Sequence, residues 1–179
     1  VSLAAFLRRP TVAALAALTG GPGSTDGAIA PVPDRDDYPL SHAQRRLWLE
    51  DRLHGDARYT MPTAVEFREP LDPDALRLAL QRLIERHETL RTVFVEVAGE
   101  PRQKVLERID APLFVIDLDG DEEDVRGIVE RESRQRFDLG RPPLFRITLV
   151  RRAAAPSVLV LVMHHIIGDG WSMQVFHRE

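Results

Sequence analysis

Leu76, Leu80, Leu83, Ile84 and His87 recur at i, i+4, i+7, i+8 and i+11, one continuous face of a helix. Asp72 supplies an N-cap for it and Pro73 a first helical residue whose missing N–H costs nothing there. Ser41-His42-Ala43-Gln44 opens an earlier helix in a capping-box pattern, predicted to run to about Leu53. Thr63–Arg68 reads as a short strand. Leu90–Val97 alternates and is rich in β-branched residues, and Gly99-Glu100-Pro101 turns it back into Gln103–Arg108, a hairpin. Pro112–Asp117 is another apolar strand. The acidic stretch Asp121–Asp124 precedes a helix through about Arg136, negative charge favouring a helix N-terminus. Leu144–Arg151 and Ser157–Met163 are strands joined by an Ala/Pro turn. The run Val158-Leu159-Val160-Leu161-Val162-Met163 is apolar on both faces and so belongs in the middle of its sheet. A last helix begins near Trp171. The order α-β-α-β-β-β-α-β-β-α predicts an α/β fold, a mixed sheet covered by helices.

Three zones follow from the same pattern. Residues 1–19 hold one helical signal, Pro10 followed by Thr11-Val12-Ala13-Ala14-Leu15-Ala16-Ala17-Leu18. Residues 20–37 are rich in Gly and Pro and read as a linker, flexible first and stiffer later. Residues 38–179 are the folded region. The net charge of −4, with basic and acidic residues interleaved, gives no reason to expect nucleic acid. The absence of cysteine excludes disulfides, thiolate nucleophiles and Cys-based zinc sites. No apolar run approaches the roughly 18–20 residues of a membrane span. Arg8, Arg9 and Pro10 interrupt Val1–Leu18 and spoil it as a secretory signal, so the expected location is cytoplasmic.

Chemistry concentrates where the most buried strand ends. His164-His165 close it, a short loop follows, and Asp169-Gly170 open a helix. Polar residues at the mouth of an apolar strand are held by the scaffold while the loop faces a cleft. Neighbours on a strand point to opposite faces, so one histidine packs inward and the other reaches outward. The same geometry argues against a shared metal. Ordinary readings stand beside this: a satisfied structural histidine, Asp169 as an N-cap, Gly170 as a turn residue.

The segment Met163-His164-His165-Ile166-Ile167-Gly168-Asp169-Gly170-Trp171-Ser172 resembles the His-His-x-x-x-Asp-Gly motif of nonribosomal peptide synthetase condensation domains. Two further motifs stand upstream in the family's order. Ser41-His42-Ala43-Gln44-Arg45-Arg46-Leu47-Trp48 is similar to its first motif, and Arg86-His87-Glu88-Thr89-Leu90-Arg91-Thr92-Val93-Phe94 fits its second at every defined position. Phe137-Asp138-Leu139 with Pro143-Leu144-Phe145-Arg146 matches another familiar stretch. Gly168 departs from the pattern, which usually has serine there.

The resemblance implies a chloramphenicol acetyltransferase-like fold of two lobes, of which this chain holds the N-terminal one, the C-terminal lobe being a missing partner. It implies amide formation, an acceptor α-amine attacking a donor thioester, with both substrates on the phosphopantetheine arms of donor and acceptor carrier domains. No cofactor or metal is bound directly, and neighbouring synthetase domains are further partners. His165 is the implied catalytic residue, supported by His164, Asp169 and Gly170, with Arg86 or Arg91 as the ion-pair partner of Asp169. Ala43–Trp48 with Tyr59-Thr60-Met61-Pro62 resembles domains taking an L-configured donor. Ser2–Leu7 and Pro10–Ala16 are similar to the end of a carrier domain, although an arbitrary Ala-rich helix reads the same way; Ser24 is not a pantetheine site. Two expectations follow: the chain alone is inactive, and it self-associates through an exposed apolar lobe interface. The alternative function is a non-catalytic condensation-like module that docks carriers or recruits a tailoring enzyme.

Overall fold

The apolar run Val158–Met163 lies inside a ten-residue strand whose last seven residues, Val158 to His164, are all buried, as its two-sided apolarity requires. The computed structural model describes residues 4, 7–19, 32–118, 122–153 and 155–179. They form α1 (Val12–Thr19), β1 (Tyr38–Pro39), α2 (His42–His54), β2 (Thr60–Phe67) and α3 (Pro73–Arg86). There follow β3 (Thr92–Val97), β4 (Glu100–Val105), β5 (Leu113–Leu118), α4 (Glu122–Arg134), β6 (Phe145–Arg152), β7 (Ala155–His164) and α5 (Gly170–Arg178). A 3₁₀ turn, Glu88–Arg91, joins α3 to β3. The linker reading at 20–31, Ser24, Asp121 and Ala154 of the Ala/Pro turn fall outside the described residues.

Val1–Asp34 and Arg35–Glu179 are two separate units. In the first, Thr11 Oγ1 accepts from the N–H of Ala14 at 3.2 Å and starts α1. In the second, α2 carries the full capping box: Ser41 Oγ accepts from Gln44 N–H at 3.2 Å while Gln44 Oε1 accepts from Ser41 N–H at 2.9 Å. Asp72 caps α3 through the N–H groups of Asp74 and Ala75. The α3 face is buried at Leu80, Leu83 and Ile84, whereas His87 lies past the helix as its C-cap and only half buried.

The main sheet has the order β2-β7-β6-β5. β7 pairs antiparallel with β2, Thr60 opposite His164, and with β6, Phe145 opposite Met163. β5 runs parallel to β6, and α4 is the crossover such a pair needs. The sheet is therefore mixed, with Phe145, Ile147, Leu149, Val150 and Val162 fully buried in its core. The hairpin β3–β4 does not join it; with β1 it forms a second, three-stranded antiparallel sheet. Its turn is the two residues Ala98-Gly99, both at positive φ (51° and 81°), one position earlier than the composition suggests. No helix among the described residues is long and apolar enough to cross a membrane.

Candidate active site

β7 delivers the two histidines in opposite directions. His164 is buried, its ring in a T-shaped contact with Phe137, the ring centroids 6.2 Å apart and the planes at 87°. Its N–H donates to Leu144 O at 2.9 Å, its carbonyl accepts from Ile167 N–H at 3.2 Å, and its Nδ1 accepts from Ile166 N–H at 3.1 Å. Burial pushes its pKa down to about 4; His165 and Arg136 push the same way, while Asp51 opposes them. His164 is thus a neutral, fixed imidazole with its proton on Nε2.

His165 is exposed. Its N–H donates to Tyr59 O at 2.8 Å, extending the β2–β7 ladder by one bond past the strand end. The backbone is held there, and the ring projects outward from a fixed base.

Asp169 caps α5 in extended conformation (φ −136°, ψ −171°), Oδ1 accepting from both Ser172 N–H and Ser172 Oγ–H at 2.9 Å. These bonds hold its carboxyl below the usual carboxylate range, with smaller help from the Trp171 N–H and His165. Gly170 begins α5 with no residue within 4 Å of where a Cβ would stand and no positive φ, so the turn itself does not demand glycine there.

Among the described residues neither Arg86 nor Arg91 pairs with Asp169, which corrects the expected ion pair. Arg86 Nε lies 3.4 Å from Glu179 Oε2 at the end of α5. Arg91 is tucked toward the hairpin, Nη1 donating to Leu106 O at 2.6 Å and Nη2 lying 3.5 Å from Glu88 Oε1. Asp169 satisfies its carboxylate locally, and the second motif reaches the histidine turn through another residue: Thr89 Oγ1 donates to Ile167 O at 2.7 Å.

A supporting layer escaped the sequence reading. Arg146 lays its guanidinium over Phe137 at 3.9 Å, and its Nη2 donates to Glu132 O and Gln135 O at 2.8 Å each. Arg136 Nη2 donates to Oδ2 of buried Asp51 at 3.0 Å. Phe137 and Arg146 lie in the stretch quoted above for its resemblance, which was their only signal; Asp51 and Arg136 carried none. A cavity of about 560 Å³ opens beside them, lined by Trp48, Asp51, Arg52, Arg136 and Phe137 among others. No group of three or more His, Asp or Glu that could hold a metal ion occurs among the described residues.

Residues 34–179 match the model of the condensation domain family, "Condensation domain". The chain belongs to the condensation domain family. It is 42% identical to a linear gramicidin synthase of Brevibacillus parabrevis, over all of the chain but 4% of that protein. The fold of this condensation-domain chain matches the first condensation domain of the calcium-dependent antibiotic synthetase, in complex with a substrate analogue. The TM-score is 0.73 at 28% identity, covering 78% of the chain and 35% of that structure. It matches the X-domain in the complex with OxyB from teicoplanin biosynthesis with a TM-score of 0.74 at 31% identity, covering 83% of the chain and 32% of that structure. The chain thus spans about a third of the solved structures it matches and a few per cent of its synthetase relative. The neighbours share the chloramphenicol acetyltransferase-like α/β fold.

Proposed function

We propose that this chain is the N-terminal lobe of an amide-forming condensation domain in a nonribosomal peptide synthetase, with His165 as its catalytic residue. The observation that carries the reading is the division of labour at the end of β7: His164 buried and neutral, His165 exposed on an anchored backbone. The donor is a carrier-bound acyl thioester with an L-configured terminal residue, and the acceptor is a carrier-bound aminoacyl thioester. Neither needs a cofactor on the domain itself, because both arrive on phosphopantetheine arms. The protein works in the cytoplasm. Residues 1–19 are the end of a preceding carrier domain and 20–37 a linker.

An α-amine has a reference pKa near 7.7–8.0, so an appreciable fraction of acceptor is already neutral at cytoplasmic pH. A strong base is not required. His165 positions the amine and takes its proton as the tetrahedral intermediate forms or collapses; the N–C bond forms, the C–S bond to the donor's phosphopantetheine breaks, and the departing thiolate takes up the proton. The carboxylate of Asp169 engages the N–H groups of Ser172 and Trp171. The backbone donor for the developing oxyanion therefore falls to Gly170, whose missing side chain leaves the start of α5 open.

In the intact synthetase with both carriers loaded, His165→Ala should lower amide formation by about 10²-fold or more. Retention within a few-fold overturns the catalytic role. The 179-residue chain by itself should give no turnover, since the two-lobed fold that the resemblance implies places part of the site on a second lobe, and the chain covers 35% of the solved condensation domain it matches. Amide formation by the purified chain would refute that. A second reading has one specific support, the X-domain neighbour seen in complex with OxyB. A recruitment module would bind a tailoring enzyme or carriers with His165 dispensable, so the same variant separates the two.

A further inference from the structure

We propose that Thr89 is a positioning residue that sets the direction of the His165 ring, by pinning the carbonyl two residues beyond it. The inference rests on His165 being the working residue.

The turn from His164 to Asp169 is held from within by Ile166 N–H on His164 Nδ1 at 3.1 Å and by the buried side chains of Ile166 and Ile167. Ile167 N–H returns to His164 O at 3.2 Å, closing the turn on itself, and His165 N–H reaches Tyr59 O at 2.8 Å on the entry side. On the exit side the chain is tied to the rest of the lobe by Thr89 Oγ1 donating to Ile167 O at 2.7 Å, a contact across 78 residues of sequence. No hydrogen bond holds the His165 ring among the described residues, so backbone orientation is what aims it. A catalytic group aimed by its backbone is only as well placed as that backbone, and a displacement of about 1 Å can cost on the order of 10²-fold in rate.

The hydroxyl is well supported for this task. Thr89 sits in the 3₁₀ turn Glu88–Arg91, which is fixed by buried Leu90 and by the Leu90 N–H to His87 O bond of 3.0 Å. His87 in turn meets Glu179 Oε2 at 2.8 Å, at the far end of α5. Thr89, Leu90, Met163, Ile167 and Trp171 line one small cavity of about 160 Å³, so the hydroxyl works at a largely apolar seam. Ile167 itself is buried while Thr89 is exposed, and loss of the hydroxyl leaves the Ile167 carbonyl without that donor at the half-buried edge of the turn.

The test uses the synthetase that carries this chain, with Thr89→Val, Thr89→Ser, Thr92→Val and His165→Ala compared in amide formation between loaded carriers. Thr92→Val is the control within the same segment: the buried Thr92 Oγ1 also donates to a carbonyl, but to Glu88 O at 2.8 Å in the 3₁₀ turn and not to the histidine turn. Thr89→Val should lower kcat about 10- to 100-fold with KM for the acceptor carrier unchanged. Thr89→Ser, which keeps the hydroxyl, and Thr92→Val should both stay within about three-fold of the parent, although both valine variants lower the unfolding temperature. Thr89→Val retaining the parent kcat, or Thr92→Val losing as much as Thr89→Val, overturns the proposal. Should Thr89→Val not accumulate as folded protein, Thr89→Ala is read by the same two outcomes. Activity surviving in His165→Ala would remove the catalytic assignment itself; activity lost there but kept in Thr89→Val removes the role of Thr89 alone.

Discussion

The N–H of Ile166 donates to Nδ1 of His164 at 3.1 Å, so the backbone of the turn that carries His165 is registered on the ring of the residue before it. The two histidines are not a pair sharing a proton. One is a structural peg at the end of the central strand, and the other is free to meet a reactant because the peg is there.

That arrangement fixes how His164 titrates. Its folded pKa is about 4 against an ordinary 6.5, so below pH 6.5 the unfolded chain binds a proton that the folded chain refuses. The stabilisation is fully present above about pH 6.5 and is lost as pH falls toward 4, up to about 3 kcal/mol in all. Histidine NMR should show His164 as a neutral Nε2–H tautomer through pH 5. A midpoint near 6.5 for this ring would contradict the buried-peg account.

Asp169 should behave as a helix cap. Asn offers the same side-chain oxygen to Ser172 N–H and Oγ–H, so Asp169→Asn should keep most of the stability while Asp169→Ala lowers the unfolding temperature by roughly a few degrees. Its carboxyl is held below the usual range, so its contribution is present above the ordinary value of 3.8 and is lost as pH drops below it. An arginine ion pair would instead make Asn as damaging as Ala. Thermal unfolding of the two variants decides it.

Local signals in the sequence carried a great deal of this fold, and long-range ones did not. Ser41 and Gln44, Asp72 and Pro73, and the apolar run of β7 each announce their element because capping and burial act within a few residues. The hairpin β3–β4 was legible as a hairpin, but its membership of a separate sheet was not, because pairing between distant strands leaves no mark in either one. The arginines show the same limit at the site. Charge types alone allow Arg86 or Arg91 to meet Asp169, yet Glu179 and Glu88 lie closer in the folded chain. Thr89 carries no signal of its partner in the sequence, and only packing brings it to Ile167, 78 residues away.

Arg146 should prove costly to replace. Arg146→Ala leaves the carbonyls of Glu132 and Gln135 without their shared donor and strips the cation from the face of Phe137, together about 2–4 kcal/mol. Arg146→Lys should recover only part of that, because an ammonium in the place of Nη2 can donate to both carbonyls but has no planar face to lay on the Phe137 ring. Urea unfolding of the three proteins measures the difference. Equal stability of the Lys variant and the parent would mean the stacked geometry is idle.

Gly168 makes the sharpest packing prediction. A Cβ there would stand 2.9 Å from Met163 Sδ and 3.1 Å from Ser172 Cβ, so even a small side chain must displace the thioether or the serine that serves Asp169. Gly168→Ala should therefore cost about 1–3 kcal/mol despite an unexceptional backbone. Met163 is buried, and Met163→Ala alone should cost about 2–5 kcal/mol. The two losses share one volume, so the double variant should be more stable than their sum by about 0.5–3 kcal/mol. Strict additivity in denaturant melts would show that the thioether yields freely and that Ser172 is the group displaced.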